Sequence, residues 1–239
     1  MYPHVFNLPD IGIPESRPLG EQITSLNMYQ DVSWTRGIRG YVKGDPLRTI
    51  DWKSTAKKSE LMVRTFESTN KNNVILAVSV ETSLKIWEGY SAENLERVIS
   101  ASASLASYCT SEGFNLGFFS NGTPVLSDLP MTIPTSRSED QLRDILETLA
   151  TIGPMSSGSM SRNLTHTYKN FPLGSTVVLV TSIVNQDLLD SLRQIEESGC
   201  QVVLINVSDE ICDVQDNFLK YELGAHFSRL ESNGEFVPI

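Results

Sequence analysis

Cysteine is scarce in this 239-residue chain, and its few copies form no recognisable pattern. Cys109, Cys200 and Cys212 include no C-x-x-C pair, so the sequence predicts neither a disulfide framework nor a zinc ribbon. No run of eighteen apolar residues exists, and the N-terminus lacks the basic and apolar regions of a signal peptide. We therefore expect a soluble chain in a reducing compartment, the cytoplasm.

Catalytic signatures are also missing. The chain has no G-x-S-x-G elbow, no H-E-x-x-H, no G-x-x-x-x-G-K-S/T and no G-x-G-x-x-G after a strand. The three histidines, His4, His166 and His226, are scattered, which is typical of surface or satisfied core positions. We therefore expect no enzyme, no catalytic residue and no cofactor.

Residues 39–56 combine glycine, paired charges and tryptophan in a way that helices and strands do not produce. The segment reads RGYVKGDPLRTIDWKSTA. It resembles the Y-x-x-G-D-x-x-R-x-I-x-W-x-x-x-A motif of the bacterial family called domain of unknown function 58, whose remaining chain resembles a von Willebrand factor A domain. The positions that stand out in the segment are Arg39, Tyr41, Gly44, Asp45, Arg48, Asp51 and Trp52.

This motif allows two interpretations. Its charged side chains could form a recognition face, because arginine and carboxylate groups make oriented contacts. Alternatively, Gly44-Asp45 forms a turn, Arg48 pairs with Asp45 or Asp51, and the Trp52 ring is buried between a small lobe and the sheet. We favour the structural interpretation.

The pattern along the chain predicts two domains. Prolines and glycines in the first seventy residues indicate short strands and turns, so residues 1–72 are expected to form a β-rich lobe. From residue 74 strands alternate with helices, which is typical of a layered α/β domain. Together with the resemblance, this predicts a von Willebrand factor A-like domain over 73–239, with a mostly parallel sheet and helices on both faces.

Individual elements of the larger domain follow from periodicity and turn residues. Asn121-Gly122 predicts a hairpin between strands at 115–120 and 123–127. Ser91 is expected to cap the first helix, and Ser138 and Gln141 to form a capping box before the second. The other predictions are strands at 74–80, 175–181 and 201–206, helices at 91–112, 139–151, 186–198 and 212–222, and an extended tail at 225–237.

Charge is distributed unevenly. Between Arg36 and Arg64 there are eight basic and three acidic residues, a net charge of +5, whereas the whole chain carries −10 and the remainder therefore −15. Such a lobe could face anionic lipid, nucleic acid or an acidic partner. Internal pairing with Asp45, Asp51 and Glu60 is the interpretation we favour.

The resemblance implies where a divalent cation would bind. A von Willebrand factor A domain holds it with a D-x-S-x-S loop after the first strand, a threonine and a later aspartate. The corresponding loop here contains Glu81, Ser83 and Lys85, so a carboxylate is lengthened and a serine becomes a lysine. Ser157 or Ser159 stands for the threonine, and Ser182 lies where the aspartate would be. We expect a degenerate site without metal, closed by an ion pair between Lys85 and Glu81.

Aromatic residues near this loop suggest a partner surface. Ile86, Trp87 and Tyr90 lie between the first strand and its helix, where no core periodicity requires them. Packing under the loop is the interpretation we favour. If these residues are exposed, they form a rim on which a partner docks.

The resemblance implies a non-enzymatic adaptor or scaffold that works with a MoxR-type AAA+ ATPase. It also implies membrane proximity through upstream segments that are not in this chain. Two alternatives remain open: an enzyme that uses the cleft around Glu81, Ser83 and Ser159, and binding of anionic lipid or nucleic acid through the basic lobe. We expect no nucleic-acid partner.

Overall fold

The chain divides into two compact units. A computed structural model describes residues 3–14, 19, 35–41, 50–58, 60–66, 73–83, 89–123, 131–172, 174–210, 216 and 218–236. The larger unit comprises Met1–Ile23 and Asn72–Ile239, and the smaller comprises Thr24–Lys71. The division after residue 71 lies one residue from the predicted one. The start of the predicted lobe, however, groups with the larger unit, because Leu8, Ile11 and Ile13 belong to its hydrophobic core.

Eight strands and six α-helices are described. The strands are β1 (Thr35–Gly40), β2 (Met62–Phe66), β3 (Asn73–Val78), β4 (Asn115–Ser120), β5 (Met131–Ser136), β6 (Thr176–Thr181), β7 (Gln201–Asn206) and β8 (Leu219–Glu222). The helices are α1 (Trp52–Lys58), α2 (Ala92–Ser111), α3 (Gln141–Thr151), α4 (Met160–Thr167), α5 (Gln186–Glu197) and α6 (Gly224–Ser232). None of the helices in the described ranges is long and apolar enough to cross a membrane.

The larger unit is built on a six-stranded sheet in the order β5-β4-β3-β6-β7-β8. β5 runs antiparallel to β4, and every other neighbouring pair is parallel. This arrangement confirms the predicted α/β fold with a mostly parallel sheet, and one antiparallel strand lies at the sheet edge.

Both faces of the sheet are covered, because successive residues of each central strand point to opposite sides. Val74, Leu76 and Val78 of β3 pack with α2, α3 and α6, whereas Ile75 and Ala77 pack with α4 and α5. A parallel strand buried on both faces is expected to be continuously apolar. This explains why the run after residue 73 is the clearest strand signal in the sequence.

The predicted helices are largely confirmed. The side chain of Ser91 accepts a hydrogen bond from the Asn94 backbone N–H and caps α2 as expected. The predicted capping box is wrong, because the buried Gln141 side chain instead donates to the backbone carbonyls of Leu116 (2.7 Å) and Pro134 (2.9 Å). Gln141 therefore joins α3 to β4 and β5.

Three predicted elements are corrected. The antiparallel partner of β4 is Met131–Ser136 rather than 123–127, of which 124–127 lie outside the described residues. The helix predicted near 212–222 is replaced, in its described part, by the strand β8, and α6 lies where an extended tail was predicted. Lys220 and Tyr221 of β8 are half-buried beside β7. This packing stabilises a strand, but it cannot be predicted from the local sequence.

In its described residues, the smaller unit contains an antiparallel pair of strands and one short helix. β1 pairs with β2, and Ile50 forms an isolated bridge with Val63. Ile50, Met62 and Val63 are buried. The helix α1 begins at Trp52 and ends at Lys58.

Candidate functional site

The carboxyl edge of the sheet collects the polar residues that the sequence analysis singled out. Glu81 and Ser83 follow β3, Asn121 follows β4, and Ser182 follows β6. Because these three strands are parallel neighbours, their carboxyl ends meet at one edge. Ligands of open α/β sheets bind at this edge.

Glu81 is held from two sides. Its backbone carbonyl accepts a hydrogen bond from the Ser182 hydroxyl at 3.0 Å, and its carboxylate Oε2 accepts one from the Met160 backbone N–H at 2.9 Å. Burial raises the pKa of Glu81 above its ordinary value, and the Met160 N–H opposes this shift. The carboxylate therefore serves the first turn of α4, whose unpaired N–H groups favour negative charge.

The serine-rich segment before α4 is tied to Asn121. The backbone N–H and the hydroxyl of Ser157 donate to the Asn121 carbonyl at 2.8 Å and 3.1 Å. The Asn121 side chain is fully buried, accepts from the Val80 N–H at 3.0 Å and donates to the Gly158 carbonyl at 3.1 Å. Asn121, which the sequence predicted as a turn residue, is thus the link between three segments of this edge.

Ser159 has a local role. Its hydroxyl accepts from the Arg162 N–H at 3.4 Å at the start of α4 and lies 3.2 Å from the Ser161 hydroxyl. Together with Glu81, it satisfies N–H groups at the start of this helix.

The described donors do not fit a divalent cation. Magnesium favours one or two carboxylates in octahedral geometry, but the edge residues predicted as ligands contain one carboxylate, and its Oε2 is bound to a helix N–H. Within the described ranges no three histidine, cysteine, aspartate or glutamate residues lie close enough to hold a metal. Lys85 lies outside the described residues, so its pairing with Glu81 stays a prediction.

We expect Glu81→Gln to leave the free energy of unfolding within about 0.5 kcal/mol of wild type at pH 7. The amide oxygen can still accept the Met160 N–H, and the uncharged side chain avoids the cost of burying a carboxylate. Glu81→Ala removes the acceptor and is expected to lower the free energy by about 1 kcal/mol. Urea unfolding measures both variants.

The pH dependence of the free energy of unfolding tests the same role of Glu81. Because the folded-state pKa of Glu81 lies above its ordinary value of 4.5, wild type gains stability from this group as the pH falls toward 4.5 and loses that contribution as the pH rises through the folded pKa. Glu81→Gln should lack this gain. Equal damage by glutamine and alanine, or magnesium binding that disappears in Glu81→Gln, would contradict the capping role.

Two large apolar side chains are exposed in the loops at this edge. Tyr90, before α2, is 59% exposed, so the expected core packing is wrong for this residue. Met155 is 75% exposed, and its carbonyl accepts from the Thr123 N–H at 3.3 Å, which ties it to the end of β4. We call Tyr90 and Met155 the apolar rim. The other predicted rim residues, Ile86 and Trp87, lie outside the described residues.

A buried arginine that the sequence analysis missed lies in the first half of α2. The Arg97 side chain is 1% exposed and pairs with Glu93 (2.5 Å), Asp209 (3.2 Å) and Glu231 (2.5 Å). Burial opposes the charge on Arg97, but its hydrogen bonds to Glu231 and Asp209 hold its pKa above the ordinary value. The Ser228 hydroxyl and Arg97 lower the pKa of Asp209. The i,i+4 spacing of Glu93 and Arg97 was visible, but the other partners lie more than a hundred residues away.

The motif of the smaller unit is described in part. Asp51 is buried and caps α1, because its Oδ1 accepts from the Ser54 N–H at 2.8 Å. The Tyr41 N–H donates to the Leu61 carbonyl at 2.9 Å, and Arg39 lies in β1 opposite Val63. The burial predicted for Trp52 is wrong, since this residue is 67% exposed. Gly44, Asp45 and Arg48 lie outside the described residues.

The described cysteines have no features of nucleophiles. Cys109 and Cys200 are buried and free. Burial raises the pKa of the Cys109 thiol to about 12, so it is protonated at neutral pH. Cys212 lies outside the described residues.

Comparison with known proteins identifies relatives without an assigned activity. The model of the family described as "Protein of unknown function DUF58" matches residues 37–215. The uncharacterized protein YeaD of Bacillus subtilis (strain 168) is 23% identical over 214 residues, which cover 87% of this chain and 47% of YeaD. The chain therefore spans about half the length of this curated relative.

Three solved structures are similar to about two thirds of this chain at low sequence identity. An aerotolerance-related membrane protein from Bacteroides fragilis NCTC 9343 is 12% identical with a TM-score of 0.44, over 68% of this chain and 96% of that one. Protein BatB from Bacteroides thetaiotaomicron is 11% identical with a TM-score of 0.41, over 68% and 97%. Proximal thread matrix protein 1 from the mussel byssus is 14% identical with a TM-score of 0.45, over 68% and 46%.

Proposed function

This chain belongs to the DUF58 family of proteins of unknown function, and from that premise we propose that it is a non-enzymatic protein-interaction module. Its partner docks on the carboxyl edge of the sheet through the apolar rim. The partner proposed is a MoxR-type AAA+ ATPase, which the family resemblance implies. In this arrangement the ATPase supplies the nucleotide chemistry and the module supplies a binding surface.

The observation that carries the proposal is the apolar rim itself. Tyr90 and Met155 expose large apolar surfaces at the edge where the polar groups are committed to internal hydrogen bonds. Tyrosine concentrates binding energy at protein interfaces, and methionine adapts to irregular partner surfaces. Such a composition favours docking of a protein surface over the polar recognition of a small substrate.

The arrangement of Glu81 supports a non-catalytic role. A general acid or base must reach a substrate, but one oxygen of this carboxylate accepts a helix N–H. The Ser157 hydroxyl donates a hydrogen bond to the Asn121 carbonyl, and the Ser182 hydroxyl donates one to the Glu81 carbonyl. These groups build the edge of the sheet, and we propose that their purpose is to hold the rim in place.

We expect the double variant Tyr90→Ala, Met155→Ala to weaken binding of the purified MoxR-type ATPase from the same host by about tenfold or more. Both side chains are exposed, so the fold should survive the change. The measurement is the Kd on the immobilised chain, with ATP and with ADP, and circular dichroism monitors folding.

Val5→Ala is the matched control, because Val5 is an exposed apolar residue of the same unit outside the rim. It should leave the Kd unchanged within about twofold. If the ATPase does not bind wild type, the partner is wrong. If it binds wild type and the double variant equally, the docking surface is wrong.

A further inference from the structure

The short helix α1 of the smaller unit has an exposed side that its own contacts do not use. Trp52 is 67% exposed, and none of the seven residues of α1 is buried. Leu61, shortly after the helix, is 46% exposed. The Trp52 ring is therefore a large apolar group that this unit leaves outside its core.

The position of this exposed side follows from the contacts that α1 does make. Thr55 turns toward β2, where its hydroxyl accepts the Met62 N–H at 3.0 Å, and Asp51 caps the helix start. With 3.6 residues per turn, Trp52, Lys53, Ala56 and Lys57 fall together on the side away from Thr55. All four are exposed. The helix therefore presents an aromatic ring beside two ammonium groups.

The charge of this segment is positive. Lys53, Lys57 and Lys58 are exposed, Glu60 is the one acidic residue between Trp52 and Leu61, and within the described residues no ion pair to these lysines is formed. We expected the basic residues of this lobe to form ion pairs with its acidic residues. Within the described part of the chain, these three lysines do not. Unpaired lysines on an exposed face attract anionic surfaces.

We propose that this chain binds the surface of an anionic membrane through the face of α1 formed by Trp52, Lys53 and Lys57. Tryptophan is enriched at the level of lipid headgroups, and lysine keeps its ammonium in water while its stem covers apolar surface. Each lysine near an anionic bilayer strengthens binding about fivefold. The acidic remainder of the chain is repelled, so the smaller unit meets the membrane first.

A bilayer fits this face better than a nucleic acid does. Single-stranded nucleic acids are bound by several aromatic rings on which successive bases stack, along a basic groove. The face of α1 offers one ring between exposed lysines, so it has no series of rings on which successive bases could stack. An exposed tryptophan flanked by lysines is typical of helices that lie in the membrane interface.

The test is co-sedimentation of the full chain with vesicles of phosphatidylcholine alone and with about 30% phosphatidylserine added, at low and high salt. Wild type should bind the anionic vesicles and release them as salt rises. Trp52→Ala should weaken binding roughly tenfold, and Lys53→Ala with Lys57→Ala roughly twenty-fold. A variant with Trp34→Phe and Trp87→Phe keeps Trp52 as its sole tryptophan, whose fluorescence should shift to shorter wavelength on binding.

Controls separate this surface from the apolar rim and from folding. The Tyr90→Ala, Met155→Ala variant should bind vesicles as wild type does, and Trp52→Ala should retain the wild-type melting temperature because the ring is exposed. The proposal would be overturned if wild type did not bind anionic vesicles. It would also be overturned if the Trp52 and lysine variants bound them as tightly as wild type does. Binding to a single-stranded oligonucleotide that outcompetes the vesicles would overturn it as well.

Discussion

Arg97→Met is expected to lower the free energy of unfolding by about 3 kcal/mol. The guanidinium is 1% exposed, and its Nε and Nη2 donate to both carboxylate oxygens of Glu231. Methionine fills part of the space but leaves Glu231, which is 18% exposed, without its partner. Asp209 and Glu93 are more exposed and recover hydration. The decrease in the free energy of unfolding therefore comes mainly from the unpaired Glu231 carboxylate.

Arg143→Met provides a matched control for this prediction. Arg143 also lies near three carboxylates, those of Asp140, Asp144 and Glu147, but its side chain is 58% exposed. Surface ion pairs of this kind contribute about 0 to 1 kcal/mol, so the control should barely shift the urea midpoint. Equal destabilisation by both substitutions would show that burial of Arg97 is not what makes its ion pairs matter.

Gly224→Ala is expected to lower the free energy of unfolding by about 3 kcal/mol. A methyl group on Gly224 would lie 2.2 Å from the Ser208 carbonyl oxygen and 2.8 Å from the Asp209 Cα. These are backbone atoms, so no side-chain rotation relieves the overlap. The start of α6 must move away from the segment that follows β7, and thermal unfolding should report the loss as a lower Tm.

Gly153→Ala is the matched control for Gly224→Ala. A methyl group at Gly153 meets no atom within 4 Å. Because alanine restricts the unfolded chain more than glycine does, this change should be neutral or stabilise by up to about 1 kcal/mol. A Gly224→Ala protein with wild-type Tm would show that α6 can shift without cost.

The sequence predicted the parts of the fold that repeat a local pattern. The runs that became β3, β6 and β7 are buried on both faces, and α2 and α5 begin at capping side chains, so each signal lies within one segment. β8 and α6 were mistaken because the packing of β8 on β7 outweighs local propensity. Element type was therefore predictable where a residue's environment was set by its neighbours in sequence.

The candidate site was predictable in location but not in its bonding. Strand order placed Glu81 and Ser182 at the carboxyl edge, yet the Met160 N–H that binds Glu81 lies 79 residues away. Asn121-Gly122 carried a hairpin signal, whereas the Asn121 side chain is used to bind Val80 and Gly158. The Trp52 ring was assigned to the interior because large aromatic residues are usually buried there, and no local pattern indicated its exposure.

Pro134 has a consequence for how this protein behaves in a crowded solution. It lies in β5, the outermost strand on one side of the sheet, where it supplies no N–H, and its carbonyl accepts the Gln141 side chain at 2.9 Å. Proline in an outermost strand makes that strand a poorer partner for a foreign strand, because one N–H of the strand is missing. Fibrillar growth by strand addition is thereby discouraged at this border, so the molecule can be concentrated with less risk of self-assembly there.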